Sequence, residues 1–326
     1  MSLRALTEFI QRQTEAAEIQ SIESGRGLWL PPDAGAEVGE MMSARTPAEL
    51  TASVVELRNL MPGGDLFHNA VLALLCGSLV ENGADAGGAI DATLELLVRQ
   101  LDAFAERPDA EVLAASRLSF PAAMTMLSRS RETRKRWRER PDVMERLDEL
   151  EDNDFVPFFL REIFTLHDDF EILLLDPKNR RAFRFRLIAV RDRLYHAYAL
   201  LQDALLRHAG PGYLDAEPVD PDAVNYARNT GLDYSDPGAW ERIRDHQRFN
   251  FAYPGGLFMP GSASPLELPQ LDGIPFLVVE PKLTHFGWQP SNMYPVLHEA
   301  LRASAELIEE LDPAAAEGLL ARCGLA

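Results

Sequence analysis

A change of period along the chain constrains its fold more than any other feature. Up to about residue 167, apolar residues recur at helical spacing in short segments cut by Gly and Pro, whereas Phe183-Arg184-Phe185-Arg186-Leu187 alternates with period two. The first pattern gives a helix one apolar stripe, and the second gives a strand one apolar face. Both in this order predict a mainly α protein: an N-terminal antiparallel helical array over 1–167, followed by a small α+β region over 168–326. The second region is expected to hold a β-hairpin at about 170–190, one further strand at about 274–280, and C-terminal helices.

Punctuation sets the helix limits. A first helix is expected from Leu3 to about Ser24, and a loop from Gly25 to Arg45, where Pro31, Pro32, Gly35 and Gly39 interrupt the pattern. Thr46-Pro47-Ala48-Glu49 starts the next: threonine caps the free amides, proline fills a first-turn position that needs no donor, and glutamate bonds back. Asp65 caps a helix running through Val80; others follow over 89–105, 110–128, 131–140, 142–151 and 155–167. Their short connections imply antiparallel neighbours, and no self-similar period marks a solenoid. Beyond the hairpin turn Asp176-Pro177-Lys178-Asn179, helices are expected over 194–208, 221–228, 239–246, 294–311 and 313–322, with a buried strand over 274–279 and irregular backbone over 253–275.

Composition narrows the function classes. The net charge of −19, from 51 acidic against 32 basic residues, repels polyanions, so nucleic acid is not an expected partner. The most apolar stretch, Ala70–Val80, is too short to cross a bilayer, and Met1–Glu15 has no uninterrupted apolar core of a secretory signal. A cytoplasmic protein with no membrane contact is the expectation, and Cys76 and Cys323 are expected as free thiols. All basic residues except Lys135, Lys178 and Lys282 are arginine, a bias read as that of a GC-rich bacterial genome. No glycine-rich phosphate loop or Gly-x-Ser-x-Gly elbow is present, and no cofactor is expected.

Three groups of residues carry candidate chemistry. Glu280-Pro281-Lys282 closes the later strand with Asp272 upstream, and this segment resembles the acidic-x-lysine element of metal-dependent nucleases of the PD-(D/E)xK type. The resemblance implies a metal-dependent hydrolase on a phosphate-containing substrate, with Asp272 and Glu280 holding the ion and Lys282 steadying water or phosphate. His167 and Asp168, with His196 if the hairpin folds back, are the candidate metal ligands; the alternative is a helix-terminal histidine followed by turn carboxylates.

Two arginine-rich clusters form the third group. The one over 129–140 is followed at once by Asp142, Glu145, Asp148 and Glu149, so mutual neutralisation is expected. The other, Lys178, Arg180, Arg181, Arg184 and Arg186 with Arg191 and Arg193 after them, has fewer acidic neighbours and occupies the solvent face of the hairpin. This is the expected binding site, for another protein or an anionic small ligand. A non-enzymatic interaction or scaffold protein is the leading reading; a metal-dependent hydrolase and an anion or nucleic-acid binder are the alternatives.

Overall fold

The computed structural model describes residues 3–28, 30–43, 46–151, 155–229, 236–244, 246–253, 256–257, 264–282 and 300–325. The chain divides into two compact units, Met1–Phe164 and Thr165–Ala326. The first is helical and the second combines a mixed sheet with helices, an α+β, mainly α architecture. No described helix is long and apolar enough to cross a membrane.

The helical unit runs α1 (Arg4–Gln11), α2 (Ala16–Glu23), α3 (Pro32–Met42), α4 (Pro47–Leu60), α5 (Leu66–Glu81), α6 (Ile90–Glu106), α7 (Ala110–Arg129), α8 (Arg131–Arg138), α9 (Pro141–Glu151) and α10 (Phe155–Phe164). Its centre is α5, buried almost all round, as an apolar stretch without a polar stripe must be. Gly77 lets α5 approach α7 closely: a Cβ there would stand 3.0 Å from the Ala122 Cα. The capping box at Thr46 forms as the sequence predicts, with Glu49 N donating to Thr46 Oγ1 at 3.2 Å and Thr46 N to the Glu49 carboxylate at 3.0 Å.

Two helical expectations are corrected. The single helix over Leu3–Ser24 is two, because Glu15 caps α2 with its own box to Glu18 while Thr14 is drawn off to Asp65. The expected loop over Gly25–Arg45 contains α3. Burial of Ala34, Val38 and Met41 outweighs the cost of Gly35 and Gly39, and the Glu37 carboxylate accepts from the Ala5 and Leu6 amides at 3.0 and 2.9 Å, capping α1.

The second unit holds β1 (Phe170–Asp176), β2 (Arg181–Ile188), α11 (Leu194–Ala209), α12 (Pro221–Ala227), α13 (Ala239–Arg244), β3 (Phe249–Tyr253), β4 (Gly256–Leu257), β5 (Gln270–Leu271), β6 (Ile274–Pro281), β7 (Ser304–Glu310) and α14 (Pro313–Arg322). The strand order is β4-β3-β6-β1-β2-β7, with β5 paired to β6; β1 and β6 run parallel and the other pairs are antiparallel. Phe183, Phe185 and Leu187 face a core shared with α11, α12 and α13. Leu173, Leu175, Ala182, Phe276 and Val278, on the other face, pack under Ala316 and Leu320 of α14.

The sheet is larger than the hairpin and one further strand that the sequence predicts. The expected helix over 294–311 is overturned from Ser304 onward, where β7 pairs with β2, placing Ala305 on Leu187 and Leu307 on Phe185; its first part, 294–299, lies outside the described residues. Long-range pairing has overridden the helical propensity of Ala-Glu-Leu-Ile-Glu-Glu. Of the expected C-terminal helices, the one over 313–322 forms as α14, capped by Asp312.

Candidate functional site

The hairpin that carries the arginines is fixed at its tip by one buried carboxylate. Asp176 Oδ1 accepts from Asn179 N at 3.0 Å, and Oδ2 accepts from Asn179 Nδ2 at 2.8 Å and from the Tyr213 hydroxyl. Burial first, and then the neighbouring Asp176 carboxylate, hold the Tyr213 phenol protonated well above its ordinary range. Three residues at this corner have left-handed backbone: Arg180 (φ 54°), Leu214 (φ 53°) and Asp215 (φ 61°). Such conformations persist only where surrounding contacts determine them, and Asp176 with Tyr213 supplies those contacts.

Strand alternation then puts Glu171 on β1, Arg184 and Arg186 on β2, and Glu306 and Glu309 on β7 on the face shared with α14, in register Glu171↔Arg186↔Glu306 and Arg184↔Glu309. Every expected binding cation meets a carboxylate. Arg181 clamps Glu310 with two bonds of 2.7 and 2.9 Å and lies 4.8 Å over the Phe183 ring. Arg181, and after it His208 at 2.8 Å, hold the Glu310 carboxyl down to about 2 against the opposing effect of burial. Arg184 binds Glu309 at 2.6 Å, and Arg180 binds Glu317 of α14. Lys178 approaches Asp215, and Arg186 approaches Glu171, only to 3.8 Å.

The first arginine cluster is similarly absorbed. Arg134 is buried and donates to the Leu127 and Ser128 carbonyls at 2.7 and 3.3 Å, finishing α7, while Arg136 pairs with Asp91 and Arg140 with Asp142.

The residues of the nuclease-like segment are set apart. Asp272 sits in the β5–β6 turn, clamped by Arg322 at 2.7 and 2.8 Å, which holds its carboxyl below the usual range. Glu280 lies at the other end of β6, opposite Asn250 on β3, roughly 20 Å of strand away. Lys282 Nζ donates to the Gln247 carbonyl at 3.1 Å.

His167, Asp168 and His196 have separate engagements. His167 Nε2 lies 2.7 Å from Asp192 Oδ1, which also accepts from the Ser264 hydroxyl; burial would raise the Asp192 carboxyl, but these two contacts keep it below its usual range. Asp168 Oδ1 accepts from Ala189 N at 3.1 Å. His196 stacks on Tyr226 with ring centres 6.0 Å apart, and burial, then Arg191, Arg193 and His246, push its pKa well below the ordinary value. Among the described residues no group of three His, Cys, Asp or Glu is placed to hold a metal ion.

Sequence reasoning missed two parts of this geometry. The acidic partners on β7 lie more than a hundred residues beyond the hairpin, in a segment read as helix. Arg191, counted with the exposed cluster, is buried and donates to Asn229 Oδ1 at 3.2 Å. Only its position just past the end of β2, outside the alternating run, distinguished it from Arg184 and Arg186. The chain matches no family model, no curated protein and no solved structure, and its function is read from its own residues.

Proposed function

We propose that this is a non-enzymatic cytoplasmic interaction protein that meets another protein through the charged hairpin face, centred on Arg184 and Arg186 and reaching Lys178 and Arg180 at the tip. One observation carries the reading. On that face α14 packs over Leu173, Leu175, Ala182, Phe276 and Val278, yet the strip of Glu171, Arg184, Arg186 and Glu309 stays at least one-third exposed on a hairpin whose turn is locked from beneath. A rigid surface of this kind loses little conformational freedom when a partner docks. Of the hairpin cations, Lys178 and Arg186 have the loosest internal contacts and therefore the most to offer a partner.

The test is a paired reversal, Lys178→Glu with Arg186→Glu, in a full-length tagged chain used to capture partners from a lysate of the source cells. Capture should be lost while the thermal midpoint stays close to that of the original, since exposed pairs of this length contribute about 0–1 kcal/mol. A partner retained by the doubly reversed chain rules this face out.

A further inference from the structure

Resting on the reading of this face as a contact surface, the geometry points to a second copy of the chain as an occupant. The strip is self-complementary. Arg186 and Glu306 stand opposite each other in register on neighbouring strands, but neither uses the other: Arg186 leans toward Glu171 at 3.8 Å, and Glu306 is exposed, accepting among the described residues only from the Ser304 hydroxyl at 3.3 Å. We infer that two copies meet face to face about a two-fold axis lying between β2 and β7, so that Arg186 and Arg184 of each copy meet Glu306 and Glu309 of the other.

A two-fold axis placed through β2 would set arginine against arginine. Moving it half a strand spacing toward β7 sets the basic row of each copy on the acidic row of the other, and symmetry makes every such contact twice. The bulge between Arg184 and Phe185 in the β2–β7 ladder, with Glu306, Glu309 and Glu310 along β7, makes edge-to-edge strand pairing the poorer route, so contact through the face is favoured. A strip three strands wide is a small interface, and the dimer is expected to be weak and concentration-dependent. Each copy carries −19, so association is expected to need about 0.15 M salt, where screening beyond about 8 Å removes the long-range repulsion and leaves the close pairs.

The experiment is sedimentation equilibrium of the full chain across a concentration series at that ionic strength, with five samples. The unmodified chain should self-associate. Arg186→Glu and Glu306→Arg should each weaken association by about tenfold or more. An equimolar mixture of the two should recover it, and so should the chain carrying both changes. If a single reversal disturbs folding by circular dichroism, Arg186→Gln and Glu306→Gln replace them, with the same weakening expected. A chain that stays monomeric throughout, or a dimer indifferent to these changes, overturns the inference. The interaction-protein reading stands or falls separately on whether the lysate partner is lost in the Lys178 and Arg186 reversals.

Discussion

In the helical unit the polar residues buried on α5 cluster at its start, where short-range contacts hold them: Asp65 accepts from His68 N at 2.9 Å and Asn69 Nδ2 donates to the Gly64 carbonyl at 3.0 Å, with Thr14, 51 residues before Asp65, adding a longer link to it. In the sheet unit, buried polar groups tie together distant segments. Asp176 holds Tyr213, and Gln202 Oε1 accepts from the amides of Arg248 and Phe249 at 2.5 and 3.0 Å, joining α11 to the start of β3. The difference teaches where each unit is vulnerable. The helical unit depends chiefly on filling space, since most of its backbone groups are satisfied within helices, the Glu37 cap on the Ala5 and Leu6 amides being a longer-range exception. The sheet unit depends in addition on particular donors and acceptors whose partners lie far along the chain.

The sharpest way to break the first half of that contrast is Leu79→Ala. Leu79 is fully buried on α5, and the truncation should cost about 3 kcal/mol in urea unfolding, from lost transfer energy and the cavity left behind. A cost below about 1 kcal/mol would mean that the helical core is loose enough to collapse around the gap. The second half is tested by Gln202→Leu, which is similar in volume and removes the shared acceptor. A buried amide at Phe249 and a part-buried one at Arg248 then lose their partner, and a loss of about 2 kcal/mol is expected, with exchange protection falling first at these two residues.

The same contrast decides what could be read from sequence. The caps at Thr46, Asp65 and Asp312 were legible because cap and capped amide are two or three residues apart. The hairpin was legible because alternation and turn chemistry are local as well. Helix α3 was hidden because its glycines argue for a loop, and the Glu37 carboxylate that ties it to α1 acts across 31 and 32 residues. Strand β7 was hidden because its residues are good helix formers, and only pairing with β2 gives them a strand's environment. The arginines of the candidate site could be named from the sequence, but their state of engagement could not, because that depends on Glu309 and Glu310 arriving from β7.

Acid should separate the units next. Burial and nearby cations depress the pKa of His196, so the unfolded chain takes up a proton below its usual 6.5 while the folded sheet unit does not. The stability of that unit is therefore complete above pH 6.5 and erodes as the pH falls below it. In the helical unit, burial would raise the Asp65 carboxyl, but the contacts from His68 and Thr14 bring it to about 2. Its contribution is present above 3.8 and is lost as the pH falls through about 2. Hydrogen exchange followed peptide by peptide, corrected for the intrinsic rate at each pH, should show the region around α11 loosening at pH 5 while α5 stays protected. Simultaneous loosening would remove the contrast.

The smallest expected effect bears most directly on the candidate site. Arg181 and Arg186 occupy the same strand, yet Arg181 grips Glu310 with two bonds while Arg186 stands 3.8 Å from Glu171. Double-mutant cycles to alanine should give a coupling of up to about 1 kcal/mol for Arg181 with Glu310, and a value near zero for Arg186 with Glu171. A cation that contributes little to its own fold is free to contribute to an interface, so a near-zero coupling is what the proposed role of Arg186 requires. If Arg186 and Glu171 couple as strongly as the Arg181 clamp, the strip is internal reinforcement of the sheet, and the contact surface must be sought elsewhere.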